Sequence, residues 1–213
     1  MRKINLISYL IIIVIISLIG CAKKEIKNID SKGKNIICFG NSLTVGYGAQ
    51  PGQDYPSLLA KLISFPVINA GIDGDTSIEG LRRIKTDVLD RDPLLVIIEF
   101  GGNDFLRKIS YEETAKNIEE MVKLIHAHGA MVAIVDISAT FILDKYHQMF
   151  LDIAKRNQAI FIPGILKGII ANPDLKSDFI HPNAQGYSLI AQRIYRAILP
   201  YLNKNTLLRE SKR

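Results

Sequence analysis

The sequence predicts an α/β protein, a three-layer α/β/α sandwich built on a five-stranded parallel sheet. Three observations predict it. From Asn35 onward, short runs rich in Ile and Val alternate with longer segments of helical periodicity, the pattern of successive βαβ units. Several of the helical segments carry their own start or stop signals. A length of 213 residues at 48% apolar composition supports one substantial core and is short for two.

The expected strands are Ile36–Phe39, Val67–Asn69, Leu94–Phe100, Met131–Ile137 and Ile160–Ile162. Between the first two, Tyr55 to Ile63 reads as a helix with Pro56 in its first turn, where a missing N–H costs nothing. Thr76 with Glu79, and Ser110 with Glu113, have the spacing of capping boxes and open the next two helices. The second of these puts Ala115, Ile118, Val122 and Ile125 on one stripe and stops at Gly129. A fourth helix is expected from Lys145 to Gln158. The last places Tyr187, Ile190, Ile194, Ile198 and Tyr201 on one face. A sheet of this kind holds its ligand beyond the carboxyl ends of its strands, so function belongs to the residues that follow each strand.

Gly40-Asn41-Ser42-Leu43-Thr44 follows the first strand. A serine on a tight strand-to-helix turn exposes its hydroxyl and offers its own N–H to an anion, although a helix-capping serine has the same look. After the second strand, Gly74 lies just ahead of the Thr76 helix start, where amide hydrogens are unpaired; an ordinary turn is the plainer reading. After the third comes Gly101-Gly102-Asn103-Asp104, whose asparagine can donate into the same space. Of the four histidines, His126 and His128 fall in the last turn of a helix, where a cation suits the carbonyl end, and His147 falls inside another helix. His181 differs. It sits in a short loop, before a proline taken to open the last helix, with Asp178 three residues earlier to hold its ring.

These four blocks resemble the SGNH (GDSL-type) hydrolase family, whose letters correspond here to Ser42, Gly74, Asn103 and His181. The resemblance runs from Ile36 to about Leu202 and is closest to the bacterial acyl-CoA thioesterase, lysophospholipase and arylesterase branch, through Asn69-Ala70, Gly74-Asp75-Thr76 and Glu99 to Asp104. It implies the flavodoxin-like arrangement of that fold and a serine esterase. Ser42 would be the nucleophile, His181 with Asp178 its acid-base partners, and Ser42, Gly74 and Asn103 the oxyanion donors. One departure is visible: the family's usual G-D-S-L is Gly40-Asn41-Ser42-Leu43, an amide in place of a carboxylate. A carbohydrate O-deacetylase of the same family is the alternative enzyme. A surface lipoprotein that only binds acylated ligands is the alternative outside catalysis, and it would have no use for Asp-x-x-His. No cofactor and no metal is implied, because His, Cys and carboxylates nowhere cluster at ligand spacing.

Ahead of the domain, Arg2 and Lys3 precede the apolar run Ile4–Ile19, as in an export signal. Leu18-Ile19-Gly20-Cys21 then resembles a bacterial lipobox, which implies cleavage before Cys21 and its lipidation. The expected organisation is a signal peptide at 1–20, a lipidated cysteine and polar tether at 21–34, the hydrolase domain at 35–202 and a basic tail at 203–213. Cys38 lies in an apolar strand and reads as a buried hydrophobe. The formal charge of +6 includes Arg2 and Lys3; basic stretches at Lys23–Lys34 and Lys204–Arg213 lack the aromatic or glycine pattern of a nucleic-acid binder, so they read as solvated tails, with attraction to anionic lipid as the alternative, and the expected membrane contact is the lipid anchor. Export removes the chain from cytosolic acyl-CoA and favours oxygen esters such as lysophospholipids. Phe141, Ile142 and Leu143, after the fourth strand, suit either an acyl groove or the core face of the next helix.

Overall fold

Five of the apolar runs pair into one parallel sheet in the order β2-β1-β3-β4-β5, with β1 Asn35–Gly40, β2 Val67–Gly71, β3 Pro93–Glu99, β4 Met131–Val135 and β5 Ile160–Ile162. This computed structural model describes residues 25–138 and 144–205. The expected leader with Cys21, the Phe141–Leu143 segment and most of the basic tail lie outside the described residues. Every residue of β3 and β4 is buried, which is why these strands read as unbroken apolar runs: each has a layer of helices on both faces.

The helices are α1 Ser42–Val45, α2 Tyr55–Leu62, α3 Ser77–Asp87, α4 Gly102–Leu106, α5 Tyr111–Ala127, α6 Asp144–Asn157 and α7 Ala184–Leu202. α2 packs on α7, while α3 packs on α5 and α5 on α6. The two groups cover opposite faces, as right-handed crossovers on a 2-1-3-4-5 sheet require. The stripes act as expected: Ile118, Val122 and Ile125 of α5, and Tyr187, Ile190, Ile194 and Ile198 of α7, are all buried. Thr76 and Glu79 form the full capping box, and Ser110 accepts from the Glu113 N–H at 3.1 Å.

Some boundaries move, for local reasons. β4 stops at Val135, two residues short, because the Asp136 carboxylate accepts from the Ser138 N–H at 2.9 Å and turns the chain out of the sheet. Asn183, not Pro182, is the N-cap of α7, its side chain accepting from the N–H groups of Gln185 and Gly186. From Glu25 on, the stretch expected as tether lies against the domain. Asn28 donates to the carbonyls of His126 and Ala130, and Lys34 and Asn35 donate to Asp92, so this segment runs along the edge where the strands begin. His126 is no helix-end cation. Burial, with Lys27 adding to it, pushes its imidazole down to about 4, and the ring is neutral at neutral pH.

The end of β1 is fixed to the end of β3 by one buried group. Gly40 pairs with both Gly71 and Glu99, and a Cβ on it would collide with Thr44 Oγ1 and with the Glu99 carboxylate. That carboxylate accepts from the Asn41 N–H at 3.3 Å and from Thr44 Oγ1 at 2.9 Å through Oε2, while Oε1 has no hydrogen-bond partner among the described residues. Burial pushes Glu99 up to about 8, against the lowering effect of those two bonds. A carboxyl group raised in the folded state holds a proton that the unfolded chain has released. Its stabilising contribution is therefore complete below the unfolded value and is lost as pH rises through about 8. Glu99→Gln keeps the shape and removes the titration. The melting temperature of the variant, measured against wild type from about pH 5 to about pH 9, should shift in the variant's favour as pH rises; a difference independent of pH would overturn the assignment.

Candidate active site

The turn after β1 is built around Ser42. Asn41 caps α1, its Oδ1 accepting from the Leu43 N–H at 3.3 Å. The bond uses the oxygen that an amide shares with a carboxylate, so the departure from G-D-S-L keeps the acceptor at this cap. Ser42 is thereby the first residue of a helical turn, where the helix offers its N–H no partner. Gly46 closes the turn with φ of 90°, a left-handed conformation that suits glycine. Ser42 is 7% exposed.

His181 reaches Ser42 from 139 residues away. Its Nε2 lies 3.0 Å from Ser42 Oγ, and its Nδ1 lies 2.7 Å from Asp178 Oδ2. The Asp-x-x-His spacing has a local cause. Asp178 Oδ1 accepts the N–H groups of Ile180 at 2.9 Å and His181 at 2.8 Å, so one carboxylate folds the turn and holds the ring. A bridge between Lys176 and Pro182 closes the loop, and Tyr47 packs on the imidazole with ring centroids 4.5 Å apart. Partial burial acts to raise Asp178, but the bonds from the His181 ring and the two backbone N–H groups outweigh it, leaving the carboxyl below its ordinary range. An ionised Asp178 can only accept, so the ring proton sits on Nδ1 and the Nε2 lone pair faces the serine hydroxyl.

Gly74 and Asn103 are brought to the same edge by a buried network. Asp104 accepts from the Ser77 N–H at 2.9 Å, from the Ser77 hydroxyl and from Thr114 Oγ1 at 3.2 Å, joining the loops after β2 and β3. Asn103 Nδ2 donates to the Asp75 carbonyl at 2.9 Å, which spends one amide hydrogen and leaves the other. Gly74 has φ of 80°. Arg83 completes the frame, donating to the Gly40 and Ala70 carbonyls and pairing with Asp75 at 2.7 Å.

Ser42, Asn103 and His181 line a cavity of about 220 Å3; Gly74 stands outside that lining. Its apolar wall is Phe105, Leu106, Ile137, Tyr146, Leu166 and Ile170. Sequence reasoning named none of these for the site. Ile137 ends the expected fourth strand, and Leu166 and Ile170 fall outside every expected element. Their signal was position alone, after β3, β4 and β5. His147, set aside as a helix residue, hydrogen-bonds through Nδ1 to Asp136 Oδ2 at 2.7 Å. Among the described residues no group of His, Cys, Asp and Glu could hold a metal ion, and no helix is long and apolar enough to cross a membrane.

The comparisons agree with this geometry. Residues 38–189 match the GDSL-like lipase/acylhydrolase family. An arylesterase of Vibrio mimicus is 31% identical, covering 79% of this chain and 90% of its own. Thioesterase 1/protease 1/lysophospholipase L1 of Escherichia coli strain K12 is 27% identical over 80% of this chain and 86% of its own. The psychrotrophic esterase EstA of Pseudoalteromonas sp., solved inhibited by monoethylphosphonate, superposes with a TM-score of 0.71 at 30% identity, covering 80% of this chain and 99% of that one. With a family match across most of its length and the fold of these enzymes, the chain belongs to the GDSL-like lipase/acylhydrolase family, hydrolases that act on ester bonds.

Proposed function

We propose that the protein hydrolyses acyl esters of the lysophospholipid or arylester type, with Ser42 as nucleophile. The observation that carries this is the unbroken hydrogen-bonded chain Ser42 Oγ, His181 Nε2, His181 Nδ1, Asp178 Oδ2 at 3.0 and 2.7 Å. In the first step Ser42 Oγ bonds to the ester carbonyl carbon while its proton passes to Nε2; collapse expels the alcohol, which takes that proton. Water then attacks the acyl-serine, giving its proton to the same nitrogen, and the carboxylic acid leaves as Ser42 is restored. The Ser42 N–H, the Gly74 N–H and the second Asn103 amide hydrogen are the proposed oxyanion donors. The apolar wall of the cavity favours an acyl chain over the acetyl group of a carbohydrate O-deacetylase. The hydrogen-bonded relay speaks for catalysis over simple binding.

The export reading is part of the same proposal: a lipoprotein held by Cys21, placed outside the cytoplasm on a membrane. Only Ala22, Lys23 and Lys24 separate Cys21 from the docked segment, a reach of at most about 3.6 Å per residue. That segment runs along the edge where the strands begin, so the anchor would hold the domain with the Ser42 cavity facing away from the bilayer.

A fluorophosphonate probe should label the wild type and fail to label Ser42→Ala; labelling that survives in the variant rejects Ser42. Asp178→Asn should lower kcat by ~10²–10⁴-fold, because the ring loses its orienting acceptor and the imidazolium its counter-charge. Full activity in that variant would leave a serine–histidine pair. Cys21→Ser should leave an unprocessed precursor of higher mass, read by mass spectrometry. An unlipidated wild-type chain beginning elsewhere would remove the anchor.

A further inference from the structure

Beside the Ser42 cavity, the same edge of the sheet holds a second cavity of about 470 Å3. Asp136 and Ser138 after β4, Gly164 after β5, His147 on α6, Lys167, and Arg193 on α7 line it. We propose that this cavity is a subsite for a phosphate group carried by the ester substrate, a reading that rests on the acyl-ester function above.

The chemistry facing the cavity is that of donors. Neither Lys167 nor Arg193 has an ion-pair partner among the described residues; Arg193 spends one N–H on the Ile165 carbonyl at 2.6 Å. The single carboxylate among the described lining residues, Asp136, is 1% exposed and saturated. Its Oδ1 accepts from the Ser138 N–H at 2.9 Å and hydroxyl at 2.5 Å, and its Oδ2 faces His147 Nδ1 at 2.7 Å and accepts from the Gly164 N–H at 3.1 Å. With each oxygen accepting two hydrogen bonds, Asp136 has no acceptor site left for a cation, and it fixes the His147 ring with Nε2 unspent. Two unpaired cations above a saturated carboxylate favour an oxyanion, and an arginine fork with a lysine point charge is the pairing phosphate takes.

The position ties this cavity to the ester site. Ile137 lines the Ser42 cavity while its neighbours Asp136 and Ser138 line this one, and Tyr146 with His147, and Leu166 with Lys167, divide in the same way. The partition is one residue thick at three places, consecutive Cα atoms being about 3.8 Å apart. An ester with its acyl chain on the apolar wall has room for a charged head group across that partition.

Lys167 is exposed, so its charge can be reversed without disturbing the core. Hydrolysis of lauroyl lysophosphatidic acid and of monolauroylglycerol, which differ only in the phosphate, should be compared in wild type, Lys167→Glu and Lys167→Arg. Lys167→Glu should raise KM for the phosphate-bearing ester about tenfold with kcat unchanged, leave the neutral ester alone, and be relieved by Lys167→Arg. The same change for both esters, or for neither, overturns the proposal. Calorimetric titration with inorganic phosphate separates the sources: phosphate binding that Lys167→Glu abolishes, without discrimination between the esters, marks a site for the free ion and rejects the head group. A wild type that cleaves neither these esters nor an aryl ester removes the acyl-ester reading, and the head-group proposal falls with it whatever the titration shows.

Discussion

The arrangement at Ser42 depends on how closely β1 and β3 approach at their carboxyl ends. Gly40 sits where the Glu99 carboxylate and Thr44 leave no room for a side chain, and the same carboxylate receives the Asn41 N–H. The turn that presents the serine is thus held from below by the neighbouring strand rather than by its own four-residue helix, which is too short to hold itself. Thr44 passes the constraint on to Tyr55 at 3.0 Å, and so to the start of α2. Arg83 does the corresponding work across the other side, gathering the Gly40 and Ala70 carbonyls and the Asp75 carboxylate on one guanidinium. A flexible cation could not hold acceptors on two strands and the following loop at once; the planar fork can.

The partner histidine comes from the far end of the chain, and two contacts set its height over the serine. Tyr187 on α7 donates to the Tyr47 carbonyl at 2.8 Å, tying the helix after the His181 loop to the loop after Ser42. Tyr47 in turn packs on the imidazole. The closure is therefore made three times, by hydroxyl, ring and Nε2, which lowers the ordering cost that any single bond would have to meet.

The fold was legible because its signals are redundant: five β-branched runs, capping residues and apolar stripes all select the same topology. Ser42, Asp178 and His181 were legible because local rules place them, a strand-end serine and an Asx-type turn that brings a carboxylate to a ring three residues on. Gly74 and Asn103 were singled out through the resemblance, and the joining of the loops that carry them depends on the Asp104 network, which no spacing in the sequence encodes. The apolar wall was not legible. Leu166 and Ile170 lie in irregular chain, Phe105 in a five-residue helix, and their convergence is a product of the sheet's twist and of loop paths. His147 lies in a helix as expected, and its bond to Asp136 was not legible for a related reason: helical periodicity says which face a residue takes, and not that Asp136 stands opposite.

Two carboxyl groups flank the serine turn, and their environments drive them apart. Glu99 is fully buried with one oxygen unpartnered among the described residues, and is pushed up to about 8; Asp178 lies in an exposed turn with three donors and is held below its ordinary range. The separation suits the proposed chemistry. An imidazolium on His181 needs a negative neighbour, which Asp178 supplies on the side remote from the serine. An oxyanion on the acyl carbon needs the opposite, and an ionised Glu99 beneath Asn41 would set a second negative charge in the cavity lining where that oxygen forms. A neutral Glu99 keeps its structural role as acceptor for Asn41 and Thr44 without that penalty. Burial of Glu99 thus serves both functions at once: it anchors the turn and favours the uncharged form of the anchor.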